Sequence, residues 1–229
     1  MFYIDPTYFW YVLIPTLVIS IGVQAYLKSS FAKWSAVANK NNLSGMQVAQ
    51  QLFARTSLNA IPLEPIAGSM TDHFDPGANV VRLSSTVGGK NSVAAMAVAA
   101  HELGHVQQYQ TGSAMIKARS VLLPALQFSP TISYLCILLG YWFNLTNMIW
   151  LGIVFFALMV LFSLLTLPVE IDASRRGLKL LEEAGLLKNP EDAKGAQQVL
   201  TAAGLTYLAA AVTSILQLLY YISVADRRG

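Results

Sequence analysis

The sequence alternates long apolar stretches with two polar segments, and this pattern predicts its overall organisation. Four stretches are long enough to cross about 30 Å of hydrocarbon as helices, which takes roughly 20 residues each. They run from Tyr8 to Leu27, Val121 to Phe143, Met148 to Leu167 and Val199 to Val224. The polar segments between them are 28–120 and 168–198. We therefore predict a mainly α, polytopic membrane protein in which residues 1–229 form a single domain with four transmembrane helices.

The composition agrees with this prediction. Apolar residues make up 55% of the 229 residues and charged residues 12%, whereas a soluble domain carries about 25% charged residues. The mean hydropathy is +0.50. The net charge of +3 comes from 15 Lys and Arg against 12 Asp and Glu, without a basic tract. So slight an excess is useful for membrane topology, and we expect a lipid bilayer and no nucleic acid as a partner.

The distribution of Lys and Arg predicts the side of the membrane on which the polar segments lie. Segment 28–120 carries eight of these residues and segment 168–198 carries five, whereas the other side receives only Arg227 and Arg228. Cationic loops are retained in the cytosol. Both polar segments are therefore predicted to be cytosolic, with both termini outside.

The first polar segment is predicted to contain a short amphipathic helix followed by a small β-sheet. Ser44 and Gln47 have the spacing of a capping box, and the helix should end near Thr56. From Ile61 onward, prolines, turn formers and the β-branched run 80–83 predict two or three short strands, one of them an edge. An edge at 80–83 would let a substrate peptide add a strand. Alternatively, these residues are one strand of a sheet that covers the following helix.

That following helix, predicted from Val93 to about Thr111, carries the candidate chemistry. It contains His101-Glu102-Leu103-Gly104-His105. Residues four apart differ by about 40° around a helix and about 6 Å along it, so both imidazoles can bind one ion. Glu102 lies about 100° away from His101, which makes it a poor ligand but places it within reach of a metal-bound water. This HExxH arrangement predicts Zn²⁺ bound by His101 and His105, with Glu102 as the general base.

A pattern this short also occurs by chance, so its surroundings matter. The chain has three histidines, and two of them lie in the motif. The flanking positions Val98 and Val106 are apolar, as a buried helix requires. Two buried imidazoles beside a carboxylate would be costly without an ion. These observations favour a metal site over a chance match.

A third metal ligand is predicted just beyond the third apolar stretch. Pro168 suits the first turn of a helix. Glu170 would then meet the helix that carries His101 and His105 at the membrane surface. Asp172, about 200° around the same helix from Glu170, is the competing ligand. The alternative role of Asp172 is an i,i+4 salt bridge with Arg176.

Helical geometry also predicts where the chain must turn. His105 precedes the second apolar stretch by enough residues to form about 24 Å of continuous helix, whereas Glu170 follows the third stretch almost at once. One ion cannot be bound from both places unless Gly112 or a neighbour turns the chain. Pro15, Pro124 and Pro130 lie inside apolar stretches and predict kinks.

Peptide hydrolysis also needs a donor, besides the metal, for the developing oxyanion. The candidates are His73, Tyr109, Arg175 and Arg176. His73 is the sole histidine outside the motif, and we predict that it is the second catalytic residue; its alternative role is structural, in a turn. The two arginines would equally suit lipid headgroups.

Four strings together resemble a known family of peptidases. They are Thr71–Pro76, Arg82–Ser84, Ala100–Gln108 and Val169–Arg176. They look like the YugP-like neutral zinc metallopeptidases over nearly the whole chain, and more distantly they are similar to HtpX and the type 1 CAAX prenyl protease. The resemblance implies a multi-pass zinc endopeptidase of the bacterial inner (plasma) membrane that faces the cytosol and cleaves polypeptides. In the distant relatives the third ligand is a Glu followed four positions later by an Asp; Glu170 matches that Glu, whereas position 174 is Ser, and Asp172 is an alternative partner for a zinc histidine.

Other functions remain open at this point. In an intramembrane protease the motif should lie within an apolar stretch, yet Gln107, Gln108 and Gln110 follow it here. A non-catalytic membrane scaffold or partner-binding protein with a retained zinc site would need a fourth ligand side chain, and Cys and His are scarce. Small residues at 209–211 permit a homo-oligomer or a membrane protein partner, although ordinary helix packing explains them equally well.

Overall fold

The computed structural model describes residues 5–227, apart from the side chains of Ser120 and Ala125. The helices are α1 (Pro6–Tyr8), α2 (Ile14–Ser35), α3 (Gly45–Arg55), α4 (Ser85–Gly88), α5 (Val93–Gln110), α6 (Ala114–Trp142), α7 (Thr146–Glu183) and α8 (Pro190–Asp226). A π-helical turn at Phe9–Leu13 joins α1 to α2, and the strands are β1 (Leu63–Ile66), β2 (His73–Asp75) and β3 (Val80–Ser84). The predicted mainly α fold with a small sheet is confirmed. Arg228, which entered the charge count, lies outside the described residues.

Three helical stretches in the described part of the chain are long and apolar enough to cross a membrane. They are Pro6–Ser35, Thr146–Glu183 and Pro190–Asp226. Helix α6 provides a fourth span if its two halves, which meet at 52° between Pro124 and Leu126, cross together. The bend lies beside Pro124, where a kink was predicted. The structure thus supports three of the predicted spans outright and the fourth as a bent pair.

The chain divides into two compact units, and the first contains most of the apolar helical segments. This unit comprises the chain up to Val23, Lys117–Pro168 and the chain from Thr206. Its small buried core includes Ile149, Ile153 and Ala225. Large apolar side chains on its surface are more than half exposed; examples are Val18, Phe128, Trp142 and Val154. A surface of this kind is what contact with lipid tails requires.

The second unit, Gln24–Ile116 and Val169–Leu205, is built around a conventional buried core. Its fully buried side chains come from α3, β3, α5 and α7 and include Leu52, Leu83, Met96, Leu103 and Leu180. The capping box of α3 is confirmed, because the Ser44 hydroxyl accepts from the Gln47 N–H and the Gln47 side chain accepts from the Ser44 N–H.

The sheet of this unit has the strand order β1-β3-β2. β1 runs parallel to β3, and β2 runs antiparallel to it. The run 80–83 therefore forms the central strand, paired on both sides, and the prediction that a substrate could add a strand there is wrong. Its residues are buried in a nearly continuous run, interrupted only at Arg82, which is the pattern of a strand covered on both faces. The edges are β1, which contains Pro65, and β2.

Helices α5 and α7 carry the predicted metal ligands. Helix α5 ends at a tight turn, whereas α7 continues without a break. Helix α5 ends in a Schellman motif, with the Ser113 N–H bonded to the Gln108 carbonyl and Gly112 at a φ of +66°. The predicted turn at Gly112 is confirmed. Helix α7, in contrast, continues through Pro168 from Thr146 to Glu183, so the prediction that Pro168 begins a helix is wrong. A proline removes one backbone hydrogen bond, and membrane helices tolerate this loss where neighbouring helices, Ser or Thr side chains or local adjustments satisfy the freed carbonyl.

Candidate metal centre

Helix α5 places the two motif histidines on one face. Ser92 caps its first turn, since its hydroxyl accepts from the Ala95 N–H at 3.1 Å. The small side chains before the motif, from Ala94 to Ala100, are mostly fully buried and let the helix lie within the unit. The rings of His101 and His105 are 4.7 Å apart between centroids and nearly perpendicular. Helical spacing alone therefore places two of the three predicted ligands.

Close approach between α5 and α7 places the third predicted ligand. A Cβ on Gly104 would lie 2.1 Å from the Ala173 carbonyl oxygen, and a Cβ on Gly177 would lie 2.6 Å from that of Ala100. The two backbones therefore touch at two places, and only glycine fits at either. This contact brings Glu170, one turn before Ala173, beside the histidines.

Three side chains converge where the helices meet. One carboxylate oxygen of Glu170, Oε2, lies 3.3 Å from His101 Nε2 and 3.4 Å from His105 Nε2. The potential ligand atoms all lie within 4.8 Å of one another, and Glu170 is only 3% exposed. Within the described part of the chain, this is a group that can hold a metal ion. The structure thus brings together the three residues that we predicted as ligands.

The ring nitrogens that face away from this point also have partners. His101 Nδ1 lies 3.1 Å from the Ser174 hydroxyl, and His105 Nδ1 lies 3.0 Å from Gln108 Oε1. Such partners orient metal-binding histidines and leave Nε2 for the ion. Two imidazole nitrogens and one carboxylate oxygen are a donor set of catalytic zinc sites with three protein ligands. The residues present therefore fit zinc.

The motif glutamate lies beside this group and is held by the sheet. Glu102 is 7% exposed, and its Oε2 accepts a hydrogen bond of 3.0 Å from the backbone N–H of Phe74 in β2. Burial raises the pKa of the Glu102 carboxyl, and the neighbouring His101 and His105 only partly offset this effect. A carboxylate with a raised pKa is a stronger base.

Comparison with known proteins identifies the family. The sequence model of a family described as "Putative neutral zinc metallopeptidase" matches residues 9–226. The chain belongs to this zinc metallopeptidase family. It is also 37% identical over 216 residues to the "Putative membrane protease YugP" of Bacillus subtilis (strain 168), covering 94% of this chain and 96% of that protein. No solved structure gives a significant match. The resemblance inferred from sequence is confirmed, and zinc is the metal that the family and the buried group jointly indicate.

His73 lies in strand β2 and is not one of the three residues that could hold the metal ion. Its Nδ1 is 2.8 Å from the Thr71 carbonyl oxygen. A carbonyl only accepts, so Nδ1 carries a proton and Nε2 can donate only when the ring is doubly protonated. The next residue, Phe74, contacts Glu102. His73 therefore lies one residue from the contact that holds the motif glutamate.

The other oxyanion candidates have different surroundings. Tyr109 is 46% exposed, and its ring is 5.5 Å from that of Phe74. Arg176 donates to Asp172 through Nε at 2.7 Å and to Gln107 through Nη1 at 3.4 Å. The predicted i,i+4 salt bridge between Asp172 and Arg176 is thus confirmed. Arg175 is exposed.

Two features of the site, the side chain of Gln108 and the bond from Phe74 to Glu102, were not predicted from the sequence. Gln108, which is 1% exposed, joins His105 to Asp172. Its signal was a polar residue one turn beyond His105 on a helix whose other buried positions, apart from Glu102, are apolar. The bond from Phe74 to Glu102 had no signal in the sequence, because any residue supplies a backbone N–H.

Proposed function

We propose that the protein is a zinc-dependent, membrane-anchored endopeptidase that hydrolyses peptide bonds of membrane or membrane-proximal proteins. The observation that carries this proposal is the convergence of His101, His105 and Glu170 beside the buried Glu102. A structural zinc site is closed by four protein ligands, whereas three leave a position for water. Family membership supports peptide hydrolysis as the reaction.

We assign the following roles to the side chains. His101, His105 and Glu170 hold the zinc ion, which when bound supplies a Lewis acid that polarises the scissile carbonyl and acidifies a water. Glu102 takes the proton of the attacking water and delivers it to the leaving amine. The Phe74 N–H holds Glu102 through Oε2, so we assign the proton transfer to Oε1. His73, as an imidazolium, is our proposed donor to the oxyanion.

We place the active site at the cytosolic face of a bacterial plasma membrane. The sequence supports this orientation because Lys and Arg are concentrated in the two polar segments. Along the chain, Glu170 follows the end of an apolar stretch by three residues. A site so near the end of a span suits substrates at the membrane surface. The homo-oligomer or membrane partner suggested by residues 209–211 stays a prediction.

A matched pair of variants tests the proposal. Glu102→Gln keeps the shape of the side chain and an acceptor for the Phe74 N–H, so zinc should be retained while proteolysis falls about 10²–10⁴-fold. Glu170→Ala removes a ligand, so zinc should be largely lost. The measurements are zinc content of the purified proteins and new peptide N-termini in membrane extracts. Cleavage by Glu102→Gln at the parent's rate would exclude the proposed mechanism.

A further inference from the structure

Gln108 is the side chain that connects the second motif histidine to helix α7. It is 1% exposed and lies three residues beyond His105 on α5. Its Oε1 is 3.0 Å from His105 Nδ1. Its Nε2 donates to the Val169 carbonyl at 2.8 Å and to Asp172 Oδ2 at 2.7 Å. A buried amide in which both ends have specific partners is held in one orientation.

The chemistry of these partners determines which way the amide points. A backbone carbonyl and a carboxylate can only accept hydrogen bonds, so the NH₂ group of Gln108 must face Val169 and Asp172. The amide oxygen must then face His105. Since that oxygen also only accepts, the proton of a neutral His105 ring must lie on Nδ1. The lone pair of His105 is thereby directed through Nε2 to the point shared with Glu170.

Asp172, at the other end of this chain of hydrogen bonds, has a second partner of its own. Asp172 Oδ2 accepts from Arg176 Nε at 2.7 Å in addition to Gln108. His101 has a different kind of partner, because the Ser174 hydroxyl can either donate or accept. The hydroxyl does not dictate where the proton of His101 lies. Of the two motif histidines, His105 is therefore the one whose partner fixes the tautomer by itself.

We propose that Gln108 is a positioning residue for the metal site, which fixes His105 in the tautomer and orientation that bind zinc, and that Asp172 and Arg176 hold Gln108 in place for this role. The inference rests on the zinc site of the proposed function. The competing explanation is that Gln108 only helps α5 and α7 to pack.

The first test compares two glutamines of the same helix. Gln110 also makes two hydrogen bonds, to the backbone N–H and carbonyl of Asn59, but it does not contact a histidine. Gln108→Met should weaken zinc binding about 10–100-fold, the range seen when the partner of a metal-binding histidine is removed. Gln110→Met should leave zinc affinity unchanged. Zinc affinity is measured on the full-length protein in detergent by competition with a chelator.

The thermal unfolding temperature of the metal-free proteins separates positioning from packing. A positioning role predicts that Gln108→Met weakens zinc binding while its metal-free unfolding temperature falls no further than that of Gln110→Met. A packing role predicts that the unfolding temperature falls and that zinc affinity follows it.

Asp172→Leu provides a second variant should Gln108→Met fail to fold. It keeps Gln108 and removes the carboxylate that accepts from the Gln108 amide and from Arg176. The amide then loses one of the two acceptors that orient it, and zinc binding should weaken by up to about tenfold, less than in Gln108→Met. The inference is overturned if Gln108→Met, or Asp172→Leu where Gln108→Met does not fold, binds zinc as the parent does. Failure of the parent itself to bind zinc would instead overturn the proposed function.

Discussion

The two helices that build the site differ in how they acquire their chemistry. Helix α5 has 18 residues, a cap at each end, and two histidines and Glu102 within five consecutive positions. Helix α7 has 38 residues and enters the site only where its apolar stretch has ended. It contributes Glu170, Ser174 beside His101, and Asp172, which is linked to His105 through Gln108 of α5. The two histidines of α5 are placed by the helix itself, whereas Glu170 of α7 reaches them only through docking of the two helices.

Docking of these helices depends on the absence of side chains. Gly104 lies between the two histidines, and Gly177 lies seven residues beyond Glu170. Each faces a backbone carbonyl of the other helix. The same residue that separates the ligands of α5 thus allows α7 to reach them. The motif and the docking contact are parts of one surface.

The largest effect is expected from breaking this docking contact. In Gly104→Ala the new Cβ would meet the Ala173 carbonyl oxygen at 2.1 Å, and neither backbone can yield without moving a helix. Overpacking of a core commonly costs 1–3 kcal/mol, and a clash between backbones should exceed about 3 kcal/mol of unfolding free energy. Zinc content should fall with it, although every ligand is still present. Thermal unfolding in detergent and zinc content measure both effects.

The control for this substitution is Gly204→Ala in α8. Its Cβ would have nothing within 4 Å, so the change should be neutral or stabilise the helix by about 0.5–1 kcal/mol. Normal zinc binding and stability in Gly104→Ala would show that the two helices can separate without loss of the site. The comparison between α5 and α7 would then lose its physical basis.

A smaller effect is expected at His101, where α7 supplies only a hydroxyl. Ser174→Ala removes the contact with Nδ1 and should weaken zinc binding by about tenfold, the lower end of the range for such partners. Ser174→Asp places a carboxylate there and should tighten binding, because a carboxylate makes the ring a more basic ligand. Chelator competition measures both. Equal affinities for the three proteins would mean that the partner of His101 does not influence the site.

The difference between the helices also explains which parts of the site could be predicted from sequence. The caps of α3 and the turn at Gly112 depend on nearby residues, and both were predicted correctly. The two histidines and Glu102 needed only the period of a helix. Glu170 was predicted from its place after an apolar stretch and from a resemblance.

The remaining contacts could not be predicted, because they depend on tertiary structure. The run 80–83 has the composition of a strand, but its neighbours decide whether it is central or an edge, and here it pairs on both sides. Pro168 carries a common signal for the start of a helix, yet α7 runs through it. Asp172 and Ser174 were treated as alternatives for one role, whereas docking gives each a different histidine, Asp172 by way of Gln108.

The smallest effect is expected where α5 ends. Gly112 has a φ of +66° and lets the chain leave the helix through the Schellman motif. In Gly112→Ala the left-handed conformation should cost about 1–2 kcal/mol of unfolding free energy, and Gly112→Asn should cost less because asparagine visits this region more readily. Zinc affinity should stay unchanged in both, since the ligands of α5 are placed by the helix before this turn. Loss of zinc in Gly112→Ala without a larger loss of stability would show that the exit of α5, and not only its docking on α7, sets the position of the histidines.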